Sequence, residues 1–176
     1  VSPDALLAIS NHYSRAQFTL VGDPYQLPPI GTPSWYPRAL ISFSKVTQLT
    51  HCYRHCQKSV DQYSHLYPEP ITSTQPPAVI RFVRYDRNKP PTDNSELKIT
   101  PYHAHAQEGY QTTDSSQGLT AETVSLWIPR PTPFALAPSR MLVGLSRHRR
   151  TLTVYVPFSY QHPKGWQLPQ VEGPER

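Results

Sequence analysis

Short apolar runs separated by proline-rich loops constrain the fold of this chain more than any other feature of its sequence. The runs AVIRFVR, TVSLWI and TLTVYV predict strands at residues 78–84, 123–128 and 151–156, and a shorter strand is predicted at 96–102. The segment SRMLVGLSRH, residues 139–148, predicts a helix before the last strand. Strands and helices that alternate along a chain pack as α/β layers around a mostly parallel sheet. The sequence therefore predicts an α/β protein.

The first half of the chain predicts two more helices and one more strand. Residues 2–4, Ser-Pro-Asp, supply the N-cap, the first-turn proline and the first-turn acid of a helix that reaches about residue 12. A buried strand closed by glycine is predicted at 17–22, and a helix at 55–66. From Pro157 onward the sequence predicts a loosely held tail.

Composition narrows the class of protein. The 176 residues are 37% hydrophobic and 16% charged, which fits one globular domain, or one domain and a piece of another, and excludes a disordered chain. No apolar run is long enough for a membrane helix, and no secretion signal is present. A net charge of +5 and a pI near 9.3 favour polyanionic partners such as nucleic acid. Two cysteines, Cys52 and Cys56, fit a reducing compartment.

The start of the sequence indicates a longer protein. The chain begins with Val1, and its single methionine is Met141. We therefore expect Val1 to be a cut within a longer chain.

Four sequence motifs occur in an order that carries information. They are GDPYQLPP at residues 22–29, LTHCYR at 49–54, TTDSSQGLTAETV at 112–124 and LVGLSRH at 142–148. Together with ITPY at 99–102, the series resembles the later half of the motif set of superfamily 1 helicases, in the form that positive-strand RNA viruses encode.

The resemblance implies a RecA-like parallel sheet with flanking helices and a division into three parts. Residues 1–45 would be the C-terminal end of a first RecA-like domain, and 46–158 a second RecA-like domain. Residues 159–176 would be a tail or linker. The implied activity is that of an ATP-dependent RNA helicase, which needs in-line water, Mg²⁺ and positive groups around the γ-phosphate.

The turn after residue 22 supplies the first candidate nucleotide contacts. Gly22 and Asp23 follow a predicted strand, and ligands of open α/β folds bind at the carboxyl ends of the strands. The amide of Gln26 both donates and accepts hydrogen bonds, so it could contact the γ-phosphate and report its loss to the neighbouring domain. An ordinary Asp-Pro turn is the alternative.

Two arginines are the other candidate catalytic residues. Arg54 resembles the family arginine that reaches the γ-phosphate from the second domain, and Arg147 resembles the arginine finger. A guanidinium suits this role because it is planar, always charged and forked. Arg147, late in the predicted helix, is expected to project into a cleft between domains. Each arginine could instead be a solvated surface charge.

The remaining candidates follow from the same resemblance. Gln117 and Gly118 are expected on the nucleotide side, since glycine permits close backbone approach to phosphate. The expected RNA contacts are Pro101, Tyr102, Thr113, Ser115, Ser116 and His148. A Ser/Gly turn, a packed half-buried tyrosine and a solvated helix end are the alternatives.

A possible zinc site at HCYRHC, residues 51–56, is not favoured. His51, Cys52, His55 and Cys56 have helical spacing, but no second ligand pair follows at zinc-finger distance. No metal ligand is therefore predicted in this chain.

The phosphate-binding loop of such an enzyme is absent from this sequence. None of the seven glycines is followed by lysine, so there is no Walker A motif, and a GTPase is dismissed for the same reason. ATP or another NTP is the expected cofactor, with Mg²⁺ held mainly by residues upstream, and the chain alone is expected to be inactive. The alternative is a non-catalytic RNA-binding or scaffold module.

The resemblance also implies partners and a location. The partners would be single-stranded or duplex RNA, the missing first RecA-like domain, and other replicase domains such as the polymerase. The protein would act during viral RNA replication as part of a replicase polyprotein. Its expected location is the host cytoplasm, in a membrane-associated replication complex.

Overall fold

A six-stranded, wholly parallel sheet organises the part of the chain that the computed structural model describes, which is residues 3–28, 46–87, 89–106 and 109–174. The strand order is β3-β2-β4-β5-β1-β6, and each neighbouring pair is parallel. The strands are β1 (Val79–Arg84), β2 (Leu97–Thr100), β3 (Tyr110–Thr112), β4 (Ala121–Trp127), β5 (His148–Val156) and β6 (Val171–Pro174). The predicted α/β class with a RecA-like parallel sheet is confirmed.

Three α-helices and two short 3₁₀ turns accompany the sheet in the described residues. The helices are α1 (Pro3–His12), α2 (Gln57–Asp61) and α3 (Pro138–Leu145), and the 3₁₀ turns are Ser64–Leu66 and His103–His105. Helix α1 matches its prediction, because its first turn carries Asp4 as the sequence indicated. Within the range 55–66 the predicted helix is two short pieces, α2 and the first 3₁₀ turn.

The main core lies between α3 and one face of the sheet. Met141 and Leu145 of α3 pack with apolar side chains of the four central strands, such as Phe82 and Leu126. Gly144 allows the close approach, because a Cβ built there would lie 2.9 Å from the Cδ2 atom of Leu126. On the opposite face, smaller and more aromatic, the buried residues are Val83, Tyr110, Trp127 and Tyr155.

The parallel arrangement gives the sheet two distinct edges. Strands β4 and β5 start level with each other, since Ala121 pairs with His148, so their first residues define an amino edge and their last residues a carboxyl edge. At about 3.3 Å per residue, the seven residues of β4 separate these edges by about 20 Å. Residues 113–120 and helix α3 each connect the end of one strand to the start of another. Both connections therefore run from the carboxyl edge to the amino edge.

Two predictions about the ends of the chain are wrong. Residues 17–22 are not a strand; they are exposed, Val21 at 90%, because no described segment pairs with them and an isolated strand has no partner for its backbone groups. The tail from Pro157 is not loosely held throughout. Tyr160 is buried in the main core, and β6 pairs with β1, so the sheet extends beyond residue 158.

Candidate functional site

The turn around Asp23 is organised by its carboxylate. One oxygen accepts a hydrogen bond from the backbone N–H of Tyr25 at 3.0 Å, and the other accepts one from Nε2 of Gln26 at 3.0 Å. The hydroxyl of Tyr67 donates to that second oxygen. The predicted γ-phosphate contact, Gln26, therefore bonds within its own turn, and both carboxylate oxygens of Asp23 are already used.

The same turn contacts the third sequence motif. Nε2 of Gln117 donates to the backbone carbonyl of Leu27 at 3.2 Å, across 90 residues of sequence. Gly118 follows with a φ of +90°, and no atom lies within 4 Å of a Cβ built at this position. The structure thus leaves an open, glycine-lined turn beside Gln117, as close backbone approach of a ligand requires.

Arg54 and Arg147 meet at one residue. Nη1 of Arg54 donates to the carbonyl oxygen of Ser146 at 3.4 Å, and Nη2 of Arg147 donates to the hydroxyl of Ser146 at 2.8 Å. No carboxylate in the described ranges forms an ion pair with either guanidinium. Two positive charges therefore lie side by side without a bonded acid, next to the turns that carry Asp23 and Gln117.

Arg147 was predicted to project into a cleft between domains, but its side chain is buried within the part of the chain that the structure describes. Its side chain is 1% exposed, and it donates to the backbone carbonyls of Val143 and Leu119 as well as to Ser146. The physical reason is that α3 ends at Leu145, so Arg147 lies one residue beyond the capping residue and folds back over the carbonyls of the last turn. Burial, and then the neighbouring charge of Arg54, lower the pKa of Arg147 to about 10. The guanidinium remains protonated at neutral pH.

A buried pair of histidines, His55 and His148, lies next to the two arginines, and the sequence did not predict this pair. The rings of His55 and His148 are stacked, with centroids 5.3 Å apart. Nε2 of His55 donates to the Ser146 carbonyl at 3.1 Å, so its Nδ1 accepts from the hydroxyl of Tyr63 at 2.8 Å. These bonds connect the segment of Arg54 to the segment of Arg147.

The second histidine is bonded in the same way. Nδ1 of His148 donates to the carbonyl of Leu145 at 2.9 Å, and its Nε2 accepts from the hydroxyl of Ser59 at 3.1 Å. Burial lowers the pKa of His148 to about 4; burial and the charge of His148 lead the causes that lower the pKa of His55 to about 3. Both rings are therefore neutral at physiological pH, each with one tautomer set by its partners.

The predicted RNA contacts divide into exposed and enclosed residues. Ser115 is exposed and Tyr102 half-buried, whereas the others are buried: Pro101, Thr113, Ser116 and His148. Thr113 donates its backbone N–H to the Thr100 carbonyl, and the Ser116 hydroxyl donates to the Thr113 carbonyl. His148 cannot offer a ring nitrogen to RNA in this arrangement, because both are bonded inside the protein.

The two connections between the sheet edges are linked to each other at both ends. At the carboxyl edge, the guanidinium of Arg140 in α3 forms an ion pair with the carboxylate of Asp114. At the amino edge, Nη1 of Arg147 donates to the carbonyl of Leu119 at 3.2 Å. We call residues 113–120 and residues 138–147, which are α3 and the two residues after it, the cross-tied frame.

The His/Cys segment forms other contacts than a metal site would require. The Cys56 thiol contacts the Ser59 hydroxyl at 3.2 Å, and a ring nitrogen of His51 contacts the Thr72 hydroxyl at 3.3 Å. Over the described ranges, no group of three or more His, Cys, Asp or Glu side chains could hold a metal ion. None of the described helices has the length and apolarity that crossing a membrane demands.

The wholly parallel sheet, with Arg54 and Arg147 side by side at its amino edge, defines a RecA-like α/β protein. The sequence matches the viral superfamily 1 RNA helicase core domain over residues 3–156, and the chain belongs to this family. It is 30% identical over 145 residues to replicase polyprotein 1ab of lactate dehydrogenase elevating virus (strain Plagemann). It is also 32% identical over 147 residues to that of simian hemorrhagic fever virus. Each match covers 82% of this chain and 4% of the polyprotein.

Solved helicase structures have the same fold. The structure of a PRRSV helicase superposes with a TM-score of 0.75 at 28% identity, over 93% of this chain and 34% of that one. A complex of arterivirus nonstructural protein 10 (helicase) with DNA superposes with a TM-score of 0.62 at 29% identity, over 78% of this chain and 33% of that one. The chain thus spans about a third of these helicases.

Proposed function

We propose that this chain is the C-terminal part of a viral superfamily 1 helicase, which couples NTP hydrolysis to RNA unwinding during genome replication. The observation that carries the proposal is the pair of guanidinium groups, Arg54 and Arg147, beside Ser146 and without a bonded carboxylate in the described residues. Like charges side by side cost free energy unless an anion lies between or beside them. A polyphosphate supplies that anion.

The roles within the site follow from chemistry and position. Arg54 and Arg147 bind oxygens of the γ-phosphate, where each guanidinium offers paired donors. Gln117 and Gly118 lie against the nucleotide, since their turn is exposed and the glycine lacks a side chain. Gln26 exchanges its bond with Asp23 for one to the γ-phosphate, and the loss of that phosphate restores the first bond. This exchange is how we propose that the turn reports hydrolysis.

The residues present fit a nucleotide better than they fit a magnesium ion. Mg²⁺, when bound, would offset the negative charge of the phosphates. The two oxygens of Asp23, an acid whose charge acts on Arg147, already accept three hydrogen bonds. We therefore propose that Mg²⁺ and the phosphate-binding loop are supplied mainly by the first RecA-like domain, of which residues 1–45 are the end, and that residues 46–158 with β6 belong to the second.

We further propose the partners and the location of the protein. RNA, other replicase domains such as the polymerase, and a membrane-associated replication complex in the host cytoplasm are the proposed context. A basic chain with a net charge of +5 suits a nucleic-acid partner. A related helicase has been crystallised with DNA.

The test is RNA-stimulated ATPase activity of the chain extended upstream of Val1 through the preceding domain. Arg147→Ala should lower turnover by about 10³- to 10⁵-fold, as loss of an arginine finger does. Arg149→Ala is the matched control, because Arg149 is exposed and paired with Glu122. Arg147 is buried, so Arg54→Ala serves as a second variant, and circular dichroism checks that each variant folds.

The outcomes separate the two classes of function. Activity that survives both Arg54→Ala and Arg147→Ala would detach the arginines from catalysis. A folded, extended protein that binds RNA without hydrolysing ATP would instead favour the non-catalytic RNA-binding module.

A further inference from the structure

Three loops meet at the carboxyl edge of the sheet, on the side away from the arginine pair. They follow β2, β3 and β4, which are neighbours in the order β3-β2-β4. Because parallel strands end at the same edge, the loops lie together. They carry Tyr102 after β2, Ser115 after β3, and Arg130 and Phe134 after β4.

Phe134 is an exposed aromatic ring in the loop that follows β4. About half of its surface, 52%, faces solvent. The guanidinium carbon of Arg140 lies 3.9 Å from the ring centroid, which is close cation–π contact, and the Tyr102 ring is tilted against it at 6.0 Å. An exposed ring held in this way loses little conformational freedom when a further flat group stacks on it.

Tyr102 is a support rather than a free stacking surface. Its hydroxyl donates to the backbone carbonyl of Arg130 at 2.6 Å and contacts the Thr132 hydroxyl at 2.7 Å. Its ring packs against the main core. The sequence left Tyr102 as either an RNA contact or a packed, half-buried tyrosine. The structure shows Tyr102 packed and half-buried, and Phe134 more exposed.

The charge around Phe134 favours a polyanion. Arg130 is exposed and forms no ion pair with any described residue. Asp114 is the carboxylate bonded at this edge, and Arg140 neutralises it. Exposed aromatic and cationic side chains side by side are the combination that binds single-stranded nucleic acid without reading its sequence.

We propose that Phe134, supported by Arg140 and Tyr102 and flanked by Arg130, is a stacking platform for a base of single-stranded RNA. Arg130 contacts a neighbouring phosphate. The proposal rests on the proposed function and deepens it, because it assigns the RNA strand to the carboxyl edge, about 20 Å from the nucleotide contacts at the amino edge.

The experiment measures binding of a short fluorescein-labelled oligouridylate to this chain by fluorescence anisotropy. Phe134→Ala should weaken binding by about 5- to 150-fold, the range that loss of one base–aromatic stack produces. Phe134→Trp should retain binding, because tryptophan also stacks. Arg130→Ala should lower the slope of log affinity against log salt by about 0.7, as expected for one phosphate contact on a single strand.

Two matched controls share residue type and exposure with the variants. Phe158→Ala removes a ring that is 61% exposed after β5, and Arg149→Ala removes an exposed arginine at the amino edge; both should bind RNA like the unmodified chain. Equal affinities for Phe134→Ala and the unmodified chain would overturn the platform and leave the proposed helicase function intact. A lack of RNA binding by both the unmodified chain and the extended, folded protein would overturn the platform together with the RNA part of that function.

Discussion

The neutral state of His55 and His148 sets the hydrogen bonds beside Arg54 and Arg147. A charged ring at position 55 would have to donate from both nitrogens, and its partners are a carbonyl and a tyrosine hydroxyl that now donates to it. Neutral His55 satisfies both partners, because it donates to the Ser146 carbonyl and accepts from the Tyr63 hydroxyl. It also adds no further positive charge beside Arg54 and Arg147, whose charges already oppose protonation of His55. Through the His55–Ser146 and Ser59–His148 hydrogen bonds, the two histidines connect the segments that carry Arg54 and Arg147.

Removal of the Tyr63 hydroxyl tests the hydrogen bonds of His55. Tyr63→Phe removes the donor to Nδ1 of His55 and leaves that buried nitrogen with the weak contact of the Cys52 thiol at 3.7 Å, which should cost about 1–3 kcal/mol of unfolding free energy. Urea denaturation of this chain measures the change. Tyr53→Phe is the control, because Tyr53 is 79% exposed, and we expect a change within about 0.5 kcal/mol. Equal losses in the two variants would contradict the assigned bond.

At the scale of elements, the cross-tied frame connects the proposed RNA edge to the proposed nucleotide edge. Asp114→Asn removes the charge that pairs with Arg140 at one end, while the Arg147–Leu119 bond at the other end remains. We expect the ratio of RNA-stimulated to basal ATPase activity of the extended protein to fall by about 2- to 30-fold. This range corresponds to 0.5–2 kcal/mol of coupling.

The control for this prediction breaks ion pairs that lie outside the frame. Glu122→Gln removes the partner of both Arg149 and Arg150 at the surface, so the activity ratio should stay as it is. A ratio that stays constant in Asp114→Asn, with basal activity preserved, would show that the ion pair is structural alone.

The helices and strands show which parts of the fold the sequence could predict. Strands β1, β4 and β5 and helix α3 were predicted because their apolar residues are local signals of burial. Strand β6 has the sequence VEGP, which carries no strand signal, and it forms because the edge of β1 offers backbone partners. At residues 17–22 the error is the opposite one, a strand that was predicted but does not form. The cause is the same, because a local sequence pattern does not show whether a pairing strand is present.

The order of the motifs selected residues whose segments are in contact, but it did not predict how their side chains are arranged. Gln26, Arg54, Gln117 and Arg147 were selected by resemblance, and hydrogen bonds connect their segments in the structure. The burial of Arg147 could not be predicted, because it depends on where α3 ends. The histidine pair could not be predicted either, since residues 55 and 148 are brought together only by the fold.

For the whole molecule, the histidine pair predicts a stability that depends on pH. Both folded-state pKa values, about 3 and about 4, lie below the ordinary value of 6.5. The unfolded chain therefore binds more protons than the folded chain at acidic pH. The histidine contribution is fully present above about pH 6.5 and is lost as the pH falls from 6.5 toward 4, by about 1.4 kcal/mol per pH unit for each proton.

Urea denaturation at a series of pH values between 7.5 and 5 measures this loss, in a range where most carboxylates remain ionised. NMR titration of the histidine ring protons provides the control. The rings of His55 and His148 should show no titration above pH 5. An unfolding free energy that stays constant over this range would contradict the neutral pair.

The frame has a mechanical consequence for the proposed motor. Its two members are joined at both ends and rest on a parallel sheet whose spacing is fixed by backbone hydrogen bonds. Such a body keeps the distance between the proposed RNA edge and the proposed phosphate edge constant while it moves. For the proposed helicase, this rigidity implies that the step length along RNA is set by how far this part rotates relative to the proposed first RecA-like domain.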